Sequence, residues 1–129
     1  MKPVTQTVTG PKGNCWAACL ASLLELDISE VPDLQAYDKH ANWMHLTNEW
    51  LATFGYGFME FTSEPEFFSV FGLNTYHIIC GPSPRRTEIE TELSHAVVGL
   101  NGKMVHDPHP SGDGLTSVSV YAVLLKLFN

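Results

Sequence analysis

Helical and strand-like patterns occupy separate halves of this chain. Trp16, Cys19, Leu20, Leu23 and Leu24 recur at helical spacing behind Asn14, a helix-capping residue type, so a helix is expected from Cys15 to about Leu26. Trp43, Met44, Leu46, Trp50, Leu51 and Phe54 predict a second helix over His40 to Phe54, ended by Gly55. Past Gly55 the apolar period drops to two. Strands are expected over Tyr56 to Thr62, Thr75 to Cys80, Ser94 to Leu100 and Lys103 to Asp107, with a last one inside Leu115 to Phe128. Ser63 to Gly72 reads as irregular chain or a short helical turn. Pro82 to Leu93 reads as a polar loop, and Pro108 to Gly114 as a loop dense in Pro and Gly. Helices first and strands after do not build alternating parallel units. They predict an α+β class in which helices pack on one side or end of an antiparallel sheet.

The 129 residues suffice for one domain, spanning 1–129. With 44% apolar and 16% charged residues, the chain is neither a disordered tail nor a solvated rod. Its formal charge of −7 lacks the basic footprint of a nucleic-acid binder and would be repelled by anionic lipid. No apolar run approaches the roughly 18 residues that span a bilayer. The first ten residues lack a signal-peptide pattern, so a cytoplasmic location is expected. Three cysteines, Cys15, Cys19 and Cys80, are too few for a disulfide framework and read as free thiols.

Three separated segments could carry chemistry. Gly13-Asn14-Cys15-Trp16-Ala17-Ala18-Cys19 places Cys15 in the first turn of an apolar helix. Unpaired N–H groups and the positive helix end favour a thiolate there and can lower a cysteine pKa to about 3.5–7.5. Taken alone, Cys15 is better explained as a small residue at a helix entrance. His95 opens an apolar strand, and Asp107 closes the next one, held extended by Pro108. A two-residue Asn101-Gly102 turn would set His95 opposite Pro108 and leave Asp107 on the wrong face. A three-residue Leu100-Asn101-Gly102 loop with a bulge at Gly102 would set His95 opposite Asp107, with Cβ atoms about 4.5–5.5 Å apart. The three-residue register is the expectation, because it gives the imidazole a carboxylate that fixes its tautomer.

Gly13-Asn14-Cys15-Trp16 opening a helix, His95 on a later strand and Asp107 on the next resemble the papain-like cysteine peptidase superfamily. The likeness is nearest to its small bacterial members that cleave bacteriocin leaders, above all over the segment His95-Ala96-Val97-Val98-Gly99-Leu100-Asn101-Gly102-Lys103-Met104-Val105-His106-Asp107-Pro108. The whole chain also resembles short proteins encoded by phages and plasmids, which would place it in a host cytoplasm. The resemblance implies a papain-like fold and a hydrolase (peptidase, isopeptidase or amidase) working without a cofactor on a protein or peptide. Cys15 would attack a carbonyl, His95 would shuttle the proton, and Asp107 would orient His95. It also implies an upstream glutamine at the oxyanion. Gln6 is the upstream glutamine here, nine residues before Cys15, with Gly10-Pro11-Lys12-Gly13 looping out the excess. Asn14, Trp16 and Ser94, adjacent to the candidate nucleophile and base, are expected at the substrate.

Two other readings compete. A protein of this fold could bind a partner without catalysis. A metal site could draw on His106, Asp107 and His109, or on His77 and Cys80, although the latter pair would fall on opposite faces of a strand. Arg85-Arg86 reads as a solvated pair, and the loop Gly81 to Leu93 as a possible lid.

Overall fold

A computed structural model describes residues 1–34, 41–70, 74–86 and 92–128. Helix α1 (Cys15–Leu24) and helix α2 (Trp43–Ala52) precede five strands: β1 (Tyr56–Phe61), β2 (Tyr76–Arg86), β3 (Glu92–Leu100), β4 (Lys103–His106) and β5 (Val120–Lys126). The strands form one sheet in the order β1-β5-β2-β3-β4, and every neighbouring pair is antiparallel. The class is therefore α+β.

Helix α1 is short but buried along almost its whole length. Ala17, Ala18 and Ala21 are small enough to bring its backbone close to β3 and β2, and Trp16, Cys19 and Leu20 fill the core beside Ile78, Cys80, Ala96, Val98 and Ala122. Trp16 meets Trp43 of α2 and Phe58 of β1 edge-on, with ring centroids 5.4 and 5.3 Å away, so one aromatic cluster ties both helices to the sheet. Helix α1 stops at Leu24, before the expected Leu26, because Glu25 turns into the left-handed region at φ 56°. The second helix begins at Trp43; the expected start at His40 lies outside the described residues.

The opposite face of the sheet carries a second aromatic cluster. A 3₁₀ turn (Glu66–Ser69) places Phe68 flat on the buried His77 ring at 4.2 Å, with Tyr121 edge-on to both.

Two expectations fail at strand ends. Gly81-Pro82 does not stop β2, which runs on to Arg86. Any Cβ at Gly81 would overlap the Ser117 carbonyl, so glycine admits that segment. The carbonyl of Pro82 accepts from the Thr116 N–H, which keeps the proline in the sheet. Within the expected loop Pro82 to Leu93, positions 87–91 lie outside the described residues, and so does the central part of the suggested lid.

The second failure is the hairpin. Leu100 pairs with Lys103, leaving a two-residue turn with both φ angles positive, Asn101 at 50° and Gly102 at 88°. The three-residue loop is wrong because this turn is pinned from outside. Asn101 exchanges bonds with Thr75 through its N–H (3.1 Å) and Oδ1 (2.9 Å), and the Gly102 N–H donates to His77 Nε2 at 2.9 Å. A bulge occurs three residues later than expected. Gly99 pairs with Met104, but the next pair is Val98 with His106, so Val105 is an extra residue in β4. That extra residue reverses the face of everything after it. Continued in this register, Asp107 comes opposite Val97, diagonal to His95 and on the same face.

Candidate active site

Asp107 and His95 meet at this diagonal. His95 Nε2 lies 2.7 Å from Asp107 Oδ1, and both side chains are buried, at 5% and 2% exposure. The carboxylate is held from two further sides. Oδ1 accepts from the His109 N–H at 2.9 Å, in the two-residue turn that aspartate forms with its own backbone, and Oδ2 accepts from the Gly114 N–H at 2.8 Å. Sequence reading missed these two donors. The Pro-His-Pro-Ser-Gly-Asp-Gly run after Asp107 was the available signal, because a turn-rich loop immediately after an aspartate is well suited to fold over it.

Strand β3 also presents an edge to the tip of α1. The Cys80 carbonyl accepts from Ser119 N–H, on the side away from β3. Cys80 therefore faces Ala96 as a non-hydrogen-bonded pair, and the Ala96 N–H points toward the β4 side. There β4 has already ended, its last pair being Val98 with His106. The partly exposed Cys15 thiol lies at the opening, within the field of the backbone N–H groups of Ala96, Trp16 and Cys15 itself. The residue after the histidine thus lies beside the sulfur at the helix start.

The charges settle into a definite resting state. Burial pushes the Cys15 thiol up; the three N–H groups oppose this without overcoming it, and the Asp107 charge adds to the rise. Desolvation thus works against the thiolate that the helix start favours. Burial likewise lowers the proton affinity of His95, against the opposing hydrogen bond and charge of Asp107, while Arg85 and His109 lower it further. For Asp107, burial alone would raise the carboxyl, but the bonds from His95, His109 and Gly114 outweigh it and hold it below the ordinary carboxylate range. At neutral pH these directions favour a neutral thiol, a neutral imidazole and an ionised carboxylate. With Nε2–H given to Asp107, the lone pair is on Nδ1.

Gln6 lies in an extended arm stitched between α1 and the β4 end. The Lys2 N–H donates to Ser22 O, the Val4 N–H to Ser22 Oγ, and the Gln6 N–H to Pro108 O, the residue after Asp107. Val4 O meets His106 Nε2 at 2.8 Å. The Asn14 N–H donates to Val8 O, which closes the intervening residues into a loop. The Gln6 side chain is buried. Its Nε2 donates to Val8 O at 2.7 Å, and Oε1 has no hydrogen-bond partner among the described residues. A Cβ on Gly13 would come within 3.2 Å of that Nε2, so the amide sits two residues from the nucleophile.

The three residues expected at the substrate fall in different places. Trp16 is 1% exposed and belongs to the core, so it does not wall a cleft. Asn14 is buried and occupied by the arm: Oδ1 accepts from the N–H groups of Thr7 and Val8, both at 3.0 Å, and Nδ2 donates to Thr7 Oγ1 at 2.9 Å. It does not cap α1 with its side chain. Ser94 is exposed and, with Gly81, Pro82, Leu93 and Ser119, lines a cavity of about 210 Å³.

The metal reading gains no geometry. His106 bonds Val4 O, His109 Nδ1 accepts from Ser111, and His77 is packed on Phe68. Among the described residues no three His, Cys, Asp or Glu side chains converge as a metal site would require. Among those residues, too, no helix is long and apolar enough to cross a membrane.

No family model, curated protein or solved structure matches the chain.

Proposed function

We propose that the protein is a cysteine-dependent hydrolase of papain-like character, with Cys15 as nucleophile, His95 as base and Asp107 as orienter. The observation that carries this reading is the buried His95–Asp107 bond of 2.7 Å, made on the strand whose next residue, Ala96, acts on the Cys15 thiol. A buried imidazole tied to a carboxylate through one nitrogen keeps the other as a base, which a purely structural strand histidine does not need.

The chemistry follows from the resting charges. Cys15 is a thiol, so attack on an acyl carbonyl is coupled to transfer of its proton to His95 Nδ1. Asp107, already ionised and fixed by three donors, stabilises the imidazolium that forms. His95 then returns the proton to the leaving group, and water attacks the acyl-thioester with His95 again as base. The Cys15 N–H and the second Gln6 amide hydrogen would receive the oxyanion, each worth about 3 kcal/mol of barrier. The substrate class is a protein or peptide carrying an amide, presented as an extended or flexible segment because so short a chain has little room for a subsite domain.

A peptidyl electrophile should modify Cys15 in the intact protein, and His95→Ala should slow modification by about 10²-fold or more. Alkylation of Cys15 by iodoacetamide at the rate of an ordinary thiol, unchanged in His95→Ala, would leave a binding protein as the better reading.

A further inference from the structure

The carboxylate cage around Asp107 depends on the loop that follows it. Residues 108–114 include Gly112 and Gly114 at positive φ, 69° and 71°, and most of the loop's side chains lie at the surface. Yet two of its N–H groups must stay on one carboxylate. The loop is organised around Ser111. Its Oγ accepts from the Asp113 N–H at 3.3 Å and sits 2.9 Å from His109 Nδ1, which also accepts from the Ser111 N–H at 3.0 Å. The Gly112 N–H returns to His109 O at 3.1 Å. One long side chain reaches this hub from the sheet: Arg85 of β2 donates from Nη1 to Ser111 Oγ at 2.8 Å. The base of Arg85 is itself fixed, its N–H donating to the buried Ser83 Oγ at 3.1 Å.

We propose that Arg85 and Ser111 form a positioning clamp that keeps the loop closed over Asp107 and so fixes the pair it makes with His95. The connection runs from β2 through Arg85, Ser111 and His109 to Asp107, and no member but Asp107 bonds the base. The ion pair of Arg85 with Asp113 is not the source of the effect. It is 3.8 Å long, and Asp113 is 57% exposed, so solvent screens it. The directed bond to Ser111 is what defines the loop's position. The Arg85-Arg86 pair, read from sequence as solvated, thereby acquires a task for its first member. The clamp serves the proposed hydrolase, but its test does not depend on turnover.

The test is an NMR titration of the His95 ring together with amide exchange at His109 and Gly114, in the full chain carrying Ser111→Ala, Ser111→Thr, Arg85→Lys or Arg85→Gln. Ser111→Ala removes the hub without changing any charge. Freed of its loop donors, Asp107 becomes more basic and favours the imidazolium. The His95 midpoint should then rise by about half a unit or more, and Gly114 exchange should quicken by about tenfold. Ser111→Thr keeps the oxygen and should restore both. If Ser111→Ala leaves both readouts at their wild-type values, the clamp is refuted. A shift in Arg85→Gln, which removes the charge, with Arg85→Lys and Ser111→Ala both normal, also refutes it, because Arg85 would then act only through its field. Cys15 labelling in the wild-type protein decides the hydrolase reading separately.

Discussion

His77 links the stability of the fold to pH, and the size of the effect follows from its surroundings. The ring is fully buried, stacked on Phe68 at 4.2 Å, and its Nε2 accepts the Gly102 N–H at 2.9 Å, so the proton of the neutral ring is on Nδ1, which is buried and has no partner among the described residues. Protonation would desolvate a cation and turn the acceptor that holds the hairpin turn into a second donor. Burial accordingly lowers its pKa from 6.5 to about 4. For a base, a depressed native pKa means that the unfolded chain binds the extra proton first. The stabilisation is complete above pH 6.5 and is lost as pH falls from there to about 4. At about 1.4 kcal/mol per unit, that shift is worth roughly 3 kcal/mol. His95 and Asp107 are shifted in directions that also weaken the fold in acid, so wild type alone cannot isolate His77. His77→Gln can, since its amide oxygen still accepts from Gly102 and does not titrate. Urea unfolding followed by tryptophan fluorescence at pH 7 and pH 4 should show wild type losing roughly 3 kcal/mol more than His77→Gln. Equal losses in the two proteins would refute the reasoning, whatever the absolute stability of the variant.

Three further outcomes are expected. Gln6→Ala should cut acylation by a peptide substrate by about 10²–10³-fold while leaving iodoacetamide alkylation of Cys15 unchanged, because only the former develops an oxyanion; mass spectrometry of both adducts measures this. Asn14→Ala removes three bonds that hold the arm and should cost about 1–3 kcal/mol in urea unfolding, with faster amide exchange at Thr7 and Val8. Gly99→Ala would bring a methyl 2.5 Å from His77 Cε1 and 2.8 Å from Ile79 Cδ1, so thermal unfolding should report a loss of about 1–3 kcal/mol from overpacking.

The class of the fold was legible because periodicity survives in each element: α1, α2, β1 and β5 begin within the expected segments. What local pattern does not carry is contact made from elsewhere. Asn14 is a good capping residue by type, but the arm offers its side chain three partners, and these win over the helix end. Trp16 follows the candidate nucleophile in sequence, yet the helical turn aims it at Trp43 and Phe58. The length of the hairpin turn was ambiguous in Asn101-Gly102 alone; Thr75 and His77, both on or beside β2, decide it. The Arg85 contact spans 26 positions and leaves no local trace.

The route to the His95–Asp107 pair shows how a wrong register can still bring the right residues together. Period-two side-chain alternation makes face, not distance along the strand, the quantity that matters. A three-residue loop and a two-residue turn followed by one bulge both insert a single residue between His95 and Asp107, and both therefore return the carboxylate to the histidine's face. They differ in where β4 bends. With the extra residue at Val105, β4 is straight over Met104 and Lys103 and departs from β3 only after Val98. That departure opens the β3 edge at Ala96, where the tip of α1 delivers Cys15. A bulge at the turn itself would have carried the β4 pairing toward His95 and closed that edge. The same irregularity thus supplies the face for Asp107 and the opening for the thiol. Deleting Val105 should consequently separate Asp107 from His95 while leaving the turn and its His77 contact in place, an outcome that the His95 ring signals would report directly.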